Sequence, residues 1–377
     1  MKQKNKYKFK DIKNILQQST YSFCIVGSPE IDTTMTVASP TIEFMAHMKT
    51  KPSIVITYSK DEFYEELATK LCCQGYNVSL LDFTDIARSI KWNPFNEILK
   101  KTDKMQFEKV VQRTEALNDE IYLDLQDLIY TICPIEDSSD PIWQHGARAL
   151  IFAFALIYWE EMRDSKIPRE KFNLHDLCKN IMDCILGGSV KLLQRFEKYD
   201  KASRIYKLSH EVLSSKDRTL ASYLNEVNKF LNGMIDEGIT ALTSKNELDF
   251  SNFDEVPNAL FLRVSDSFIN ANRLITLLIK QMCGTLIDKA KRNQECEKTE
   301  REELLRNVYF VMDEFGNLPR FRHFDSIIAI ARSRKIFLMP IVQSYKQLDA
   351  VYGKEVTTYI RAWCILIEAN NDKKRRG

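Results

Sequence analysis

The feature that most constrains this chain is a recurring unit, a short apolar run that ends on polar residues. Three such runs lie near its start: "YSFCIVGS" from Tyr21, "PSIVITYSK" from Pro52 and "YNVSLLDF" from Tyr76. Four more lie near its end: "NALFLRV" from Asn258, "NVYFVMDE" from Asn307, "IFLMPIVQS" from Ile336 and "AWCILIEA" from Ala362. Each reads as a β-strand. Helix-length segments alternate with them. In "DEFYEELATKLCCQG" the Phe63, Leu67, Leu71 spacing is helical, and Gly75 is a natural C-terminal stop. Strands that alternate with helices imply a parallel sheet, so the fold class is α/β.

The alternation breaks after "WNPF", Trp92 to Phe95, where strand signals vanish for more than a hundred residues and helical patterns take over. The simplest organisation is an all-α domain over 101–213, inserted into a sheet domain made of 19–100 and 214–377, behind a basic leader at 1–18. With 377 residues, 44% of them hydrophobic, the chain has material for a sizeable core, and 11 glycines and 10 prolines disfavour disorder. The net charge of +2 means that any attraction to nucleic acid must come from local patches.

Nine scattered cysteines, an odd number, fit a reduced intracellular compartment better than a disulfide framework. His175, Cys178 and Cys184 lie close in sequence but lack paired C-x-x-C knuckles, so they read as core residues and no metal is assigned to them. The lysine-rich start has no apolar core of the signal-peptide kind behind it. The most apolar stretch, Ala149 to Trp159, falls short of the roughly 20 residues that a membrane helix requires, and reads as a buried core helix.

Candidate chemistry gathers where strands end. In "VYFVMDEFGNLP" an apolar strand runs directly into Asp313 and Glu314, at the edge where open parallel sheets bind ligands. There Asp313 would hold Mg²⁺ through water, and Glu314 would polarise an attacking water as general base. The strand "FLMPIVQSYKQL" ends on Gln343, whose amide can orient a γ-phosphate from the same edge. Between these strands "IARSRKI" carries Arg332, Arg334 and Lys335, which can reach a phosphate of a neighbouring subunit or a nucleic-acid backbone. Further basic candidates for phosphate contacts are the N-terminal lysines, Arg320, Arg322 and the tail Lys373 to Arg376.

The block from Val308 to Gly353 resembles the TraG-like coupling proteins of conjugation and type IV secretion, RecA-type hexameric P-loop ATPases related to DNA translocases such as FtsK. Four further segments resemble the same family in the same order: "YNVSLLDF" with "WNPF", "DPIWQHGARALIFAFALIYW", "DRTLASYLNEVNKFL" and "PNALFLRVSD". The resemblance implies a RecA-like core with an inserted all-α domain that reads substrate, and ATP and Mg²⁺ as cofactors. It also implies DNA bound without sequence preference, a relaxase or secreted protein as substrate, and a hexamer, homo- or hetero-, at the type IV secretion channel or a membrane-anchor partner. The corresponding location is cytoplasmic, peripheral at the inner face of a bacterial membrane. Asp313, Glu314 and Gln343 fall on the family's catalytic positions.

The phosphate loop departs from that family. Its template, G-x-x-x-x-G-K-S/T, laid on Gly27 and Ser28, puts Asp32 at the second glycine, Thr33 at the lysine and Thr34 at the Ser/Thr. Pro29 removes a backbone N–H from the cradle, and Asp32 does not readily take the φ > 0 that glycine supplies. Thr33 leaves the phosphates without their cation while Asp32 adds an anion; at about 4 Å such a repulsion is roughly 4 kcal/mol at an effective dielectric of 20. Where the family has an Asp-Pro-Lys-Gly-Glu-like segment, this chain has Tyr58, Lys60, Asp61 and Glu62, and Lys60 is a candidate substitute cation. The resulting expectation is a coupling-protein homologue acting as receptor or scaffold with impaired ATP hydrolysis. The alternatives are an active translocase with a non-standard loop, or a truncated partner of an intact paralogue.

Overall fold

The computed structural model describes residues 7–8, 14, 16, 21–27, 32–135, 141–265, 267–321 and 324–369. They fall into two compact units, one within Met1–Asp82, Ala87–Ser89 and Asp249–Gly377, the other within Phe83–Ile86 and Ile90–Leu248.

The first unit is built on an eight-stranded sheet. All seven expected strands form: β2 Phe23–Gly27, β3 Ser53–Tyr58, β4 Asn77–Leu81, β5 Asn258–Arg263, β6 Val308–Met312, β7 Ile336–Val342 and β8 Ile365–Ala369. An eighth, β1 (Tyr7–Lys8), lies in the basic leader and pairs with β8. It was not foreseen, because backbone pairing at an open sheet edge requires no apolar pattern. The order is β1-β8-β2-β7-β6-β3-β5-β4, and every pairing is parallel. β3, β6 and β7 are buried along their whole length, which is why they read as unbroken apolar runs. Helices Ser39–Ala46 and Asp61–Cys73 bury Ile42, Met45, Phe63, Leu67 and Leu71 against one face of the sheet.

The second unit is helical in its described residues. At its centre runs Ile142–Arg163, in which every residue from Leu150 to Trp159 is buried, as expected of a core helix. Among the described residues no helix is long and apolar enough to cross a membrane. The unit is wider than the expected 101–213 because its flanks pack into it. Trp92 and Phe95 of "WNPF" are buried, Trp92 N–H donates to Leu242 O (2.7 Å), and Asn93 Nδ2 donates to Phe172 O (3.0 Å). Helix Asp217–Asn232 belongs to it as well, through the Tyr223 ring edge-on to Trp143 at 5.0 Å. An amphipathic helix displays an apolar face in sequence but not the unit that receives it.

All nine cysteines are free thiols, and burial pushes Cys178 up to about 12.

Candidate nucleotide-type site at the carboxyl edge of the sheet

The register sets the site. Val26 lies level with Val342, Pro340 with Met312, and Met312 with Thr57, so the residues just beyond these strands share the carboxyl edge. Gly27, Lys60, Asp313 and Gln343 therefore belong to one rim, in the strand order β2, β7, β6, β3. Ser28 lies outside the described residues.

Asp313 is the centre of that rim and is only 1% exposed. The Thr34 hydroxyl donates to its Oδ2, and the Thr57 hydroxyl, from the neighbouring strand, donates to its main-chain oxygen (2.6 Å). Burial pushes the Asp313 carboxyl above its ordinary value, and the bond from Thr34 offsets part of that. The next residue, Glu314, sits in the left-handed region at φ 52°, a conformation that costs a non-glycine residue about 1–2 kcal/mol. Its carboxylate accepts from Asn317 Nδ2 at 3.2 Å. Gln343 is exposed, and its N–H donates to Oε1 of Gln347, which is in turn held by the Ser344 cap (3.2 Å).

The segment after β2 carries the departures. Thr33 lies back over the strand end, so that a Cβ added at Gly27 would collide with its methyl group. Asp32 acts as a helix cap: its Oδ1 accepts from Met35 N–H (3.1 Å) and its main-chain oxygen from Thr36 N–H (2.9 Å). Its other oxygen, Oδ2, pairs with Lys60 Nζ at 2.6 Å. Burial alone would raise the Asp32 carboxyl, but the bonds from Lys60 and from the main chain outweigh it and hold the group below its ordinary value. The same contact raises the Lys60 ammonium, and the charges of Asp313 and Glu314 add to the effect.

The helix that follows opens with a π-turn, Thr34–Ala38, in which Ser39 N–H reaches back to Thr34 O. Pro40, in the first turn of Ser39–Ala46, explains it: the ring lacks an N–H and clashes with the carbonyl four residues before, so a regular α-turn cannot form there. Sequence reading missed Thr57, Asn317, Gln347 and Pro40. Of these only Pro40 carries a signal, a proline six residues past the Ser/Thr position of a phosphate-loop template.

Arg332, Arg334 and Lys335 lie elsewhere. They immediately precede β7 and so sit at the amino edge, the opposite rim. The Arg332 guanidinium lies 3.8 Å from the Tyr21 ring centre, Arg334 pairs with Glu302, and Lys335 Nζ pairs with Glu303 at 3.0 Å. Arg320 is exposed, whereas Arg322 and Lys373 to Arg376 lie outside the described residues. Tyr58, at the position of the family's aspartate, is a core residue stacked on Tyr64 at 5.7 Å.

Several solved structures resemble this one, two of them as follows. The plasmid coupling protein TrwB, in complex with the non-hydrolysable ATP analogue ADPNP, matches over 86% of this chain and 75% of its own, at 14% identity and a TM-score of 0.50. VirB4 of Thermoanaerobacter pseudethanolicus matches over 94% and 78%, also at 14% identity and a TM-score of 0.50. At that identity the likeness is one of fold, a RecA-like P-loop core with an all-α domain. No curated protein sequence matches the chain. The family described as "Type IV secretory system Conjugative DNA transfer" matches residues 41–375, which begins just downstream of Gly27 to Thr34. The chain therefore belongs to the type IV secretory system conjugative DNA transfer family.

Proposed function

We propose that this protein serves conjugative DNA transfer as a receptor or scaffold, linking a DNA–protein substrate to the secretion channel, with its own ATP hydrolysis impaired. The carrying observation is that, among the described residues, no unpaired cation stands at the phosphate position. Thr33 is folded over Gly27, and Lys60, the substitute, is paired with Asp32. The rim that remains holds Asp32, Asp313 and Glu314, so a polyphosphate would meet more negative charge than positive. TrwB has been solved with ADP and Mg²⁺. Here Thr34 and Asp313 have the donor chemistry to hold Mg²⁺, while Thr33 stands at the lysine position of the phosphate-loop template.

The helical unit is the substrate-reading part, and DNA is held through phosphates without sequence preference, in a hexameric assembly at the cytoplasmic face of the membrane. Such binding weakens steeply with salt, by a factor of about 10³ or more between roughly 50 and 200 mM for six or more phosphate contacts. Steady-state phosphate release, with and without DNA, tests the reading in native protein and in Glu314→Gln. Equal, background-level release is expected; release that requires Glu314 overturns it. A second reading, a working motor completed by arginines from a neighbouring subunit, draws support from the retained Thr34–Asp313 bond. It predicts Mg-ATP binding that grows with oligomer concentration.

A further inference from the structure

We propose that Lys60 is the phosphate-anchoring cation of this chain and that Asp32 is its resident competitor, so that polyphosphate binding is masked rather than lost. The inference rests on the reading of this rim as a degenerate nucleotide site. Two contacts converge on one carboxylate. Asp32 Oδ2 takes the Lys60 ammonium (2.6 Å), and Oδ1 takes the Met35 N–H of the helix N-terminus (3.1 Å). A helix-terminal N–H and a lysine ammonium are the two donor types that a phosphate loop offers to its ligand. Here one acidic side chain satisfies both from within.

The geometry explains how a cation comes to be there. Lys60 directly precedes helix Asp61–Cys73 at the end of β3, on the far side of β6 from the loop, and its side chain reaches to Asp32. Its ammonium also feels the charges of Asp313 and Glu314, so it stands over the same rim as the retained carboxylates. The pair is half-exposed, with 51% of the Lys60 side chain and 40% of the Asp32 side chain accessible. An exposed pair of this kind is weak and exchangeable. A multivalent phosphate that arrived without opposition from Asp32 would displace nothing else.

The test uses the full chain and Asp32→Asn, which keeps an oxygen to cap Met35 N–H and removes the charge. Inorganic pyrophosphate with Mg²⁺ is titrated calorimetrically into native protein, Asp32→Asn, and Asp32→Asn combined with Lys60→Met. Asp32→Asn is expected to bind at least tenfold more tightly than native protein, and the added Lys60→Met to return the affinity to the native level. Asp32→Asn that binds no better than native protein overturns the inference, and so does a gain that survives Lys60→Met. The first of those results leaves the proposed function standing. Glu314-dependent turnover by native protein would sink both that function and the mask, because hydrolysis requires the polyphosphate to be bound with Asp32 in place.

Discussion

Thr34→Val probes the bond at the heart of the rim. Valine keeps the shape of threonine and removes the hydroxyl that donates to Asp313 Oδ2, beside a carboxylate that is 1% exposed. Leaving a buried acceptor without its donor costs about 1–3 kcal/mol, more when the acceptor is charged. At about 2 kcal/mol, and about 2–4 °C per kcal/mol for a folding unit of 150–250 residues, the melting temperature should fall by about 4–8 °C. The control is Thr33→Val, which retains the methyl lying over Gly27 and should change melting by no more than about 2 °C. The pH dependence carries a definite sign. Burial raises the Asp313 carboxyl in the folded state, so folding favours its protonated form. The cost is absent below the ordinary carboxyl value and grows as pH rises from there through the raised one. Removing the Thr34 hydroxyl raises that value further, so the deficit of Thr34→Val should be greatest near neutral pH and shrink on acidification. Calorimetric melting at several pH values reads both effects. Unchanged melting at neutral pH, or a deficit that grows as pH falls, would refute the reasoning.

Glu314→Gly should raise stability, by about 0.5–1 kcal/mol, because it relieves the φ 52° backbone at a residue whose Asn317 contact is exposed; denaturant titration that shows a loss would contradict the strain. Gly146→Ala should do the reverse. Mid-helix alanine usually gains about 1 kcal/mol over glycine, but here a Cβ would collide with the Tyr223 ring, and overpacking of about 1–3 kcal/mol should prevail. A higher melting temperature for Gly146→Ala would show that the ring yields freely.

Much of the fold was legible because parallel strands buried on both faces leave continuous apolar runs, and all seven of those runs are strands. The placing of Asp313 and Gln343 followed at once, since strand ends in a parallel sheet share an edge. What stayed hidden depends on contacts between distant segments. Asp32 reads in sequence as a lost glycine and an added charge, but its role as a helix cap paired with Lys60 appears only once β2 and β3 are placed about β6 and β7. Thr57 looks like any strand threonine until its neighbour proves to be the strand that carries Asp313. The packing of the flanks of the helical unit stayed hidden for a similar reason: "WNPF" is recognisable as a motif, yet its contacts with Leu242 and Phe172 are a long-range event.

The central claim is that the loop keeps the position of a phosphate loop without its chemistry. Titration with a fluorescent ATP analogue and Mg²⁺ tests it most directly, comparing native protein with a chain carrying Asp32→Gly and Thr33→Lys. Tight binding by the substituted chain alone is the predicted result; native protein that binds equally well would contradict it.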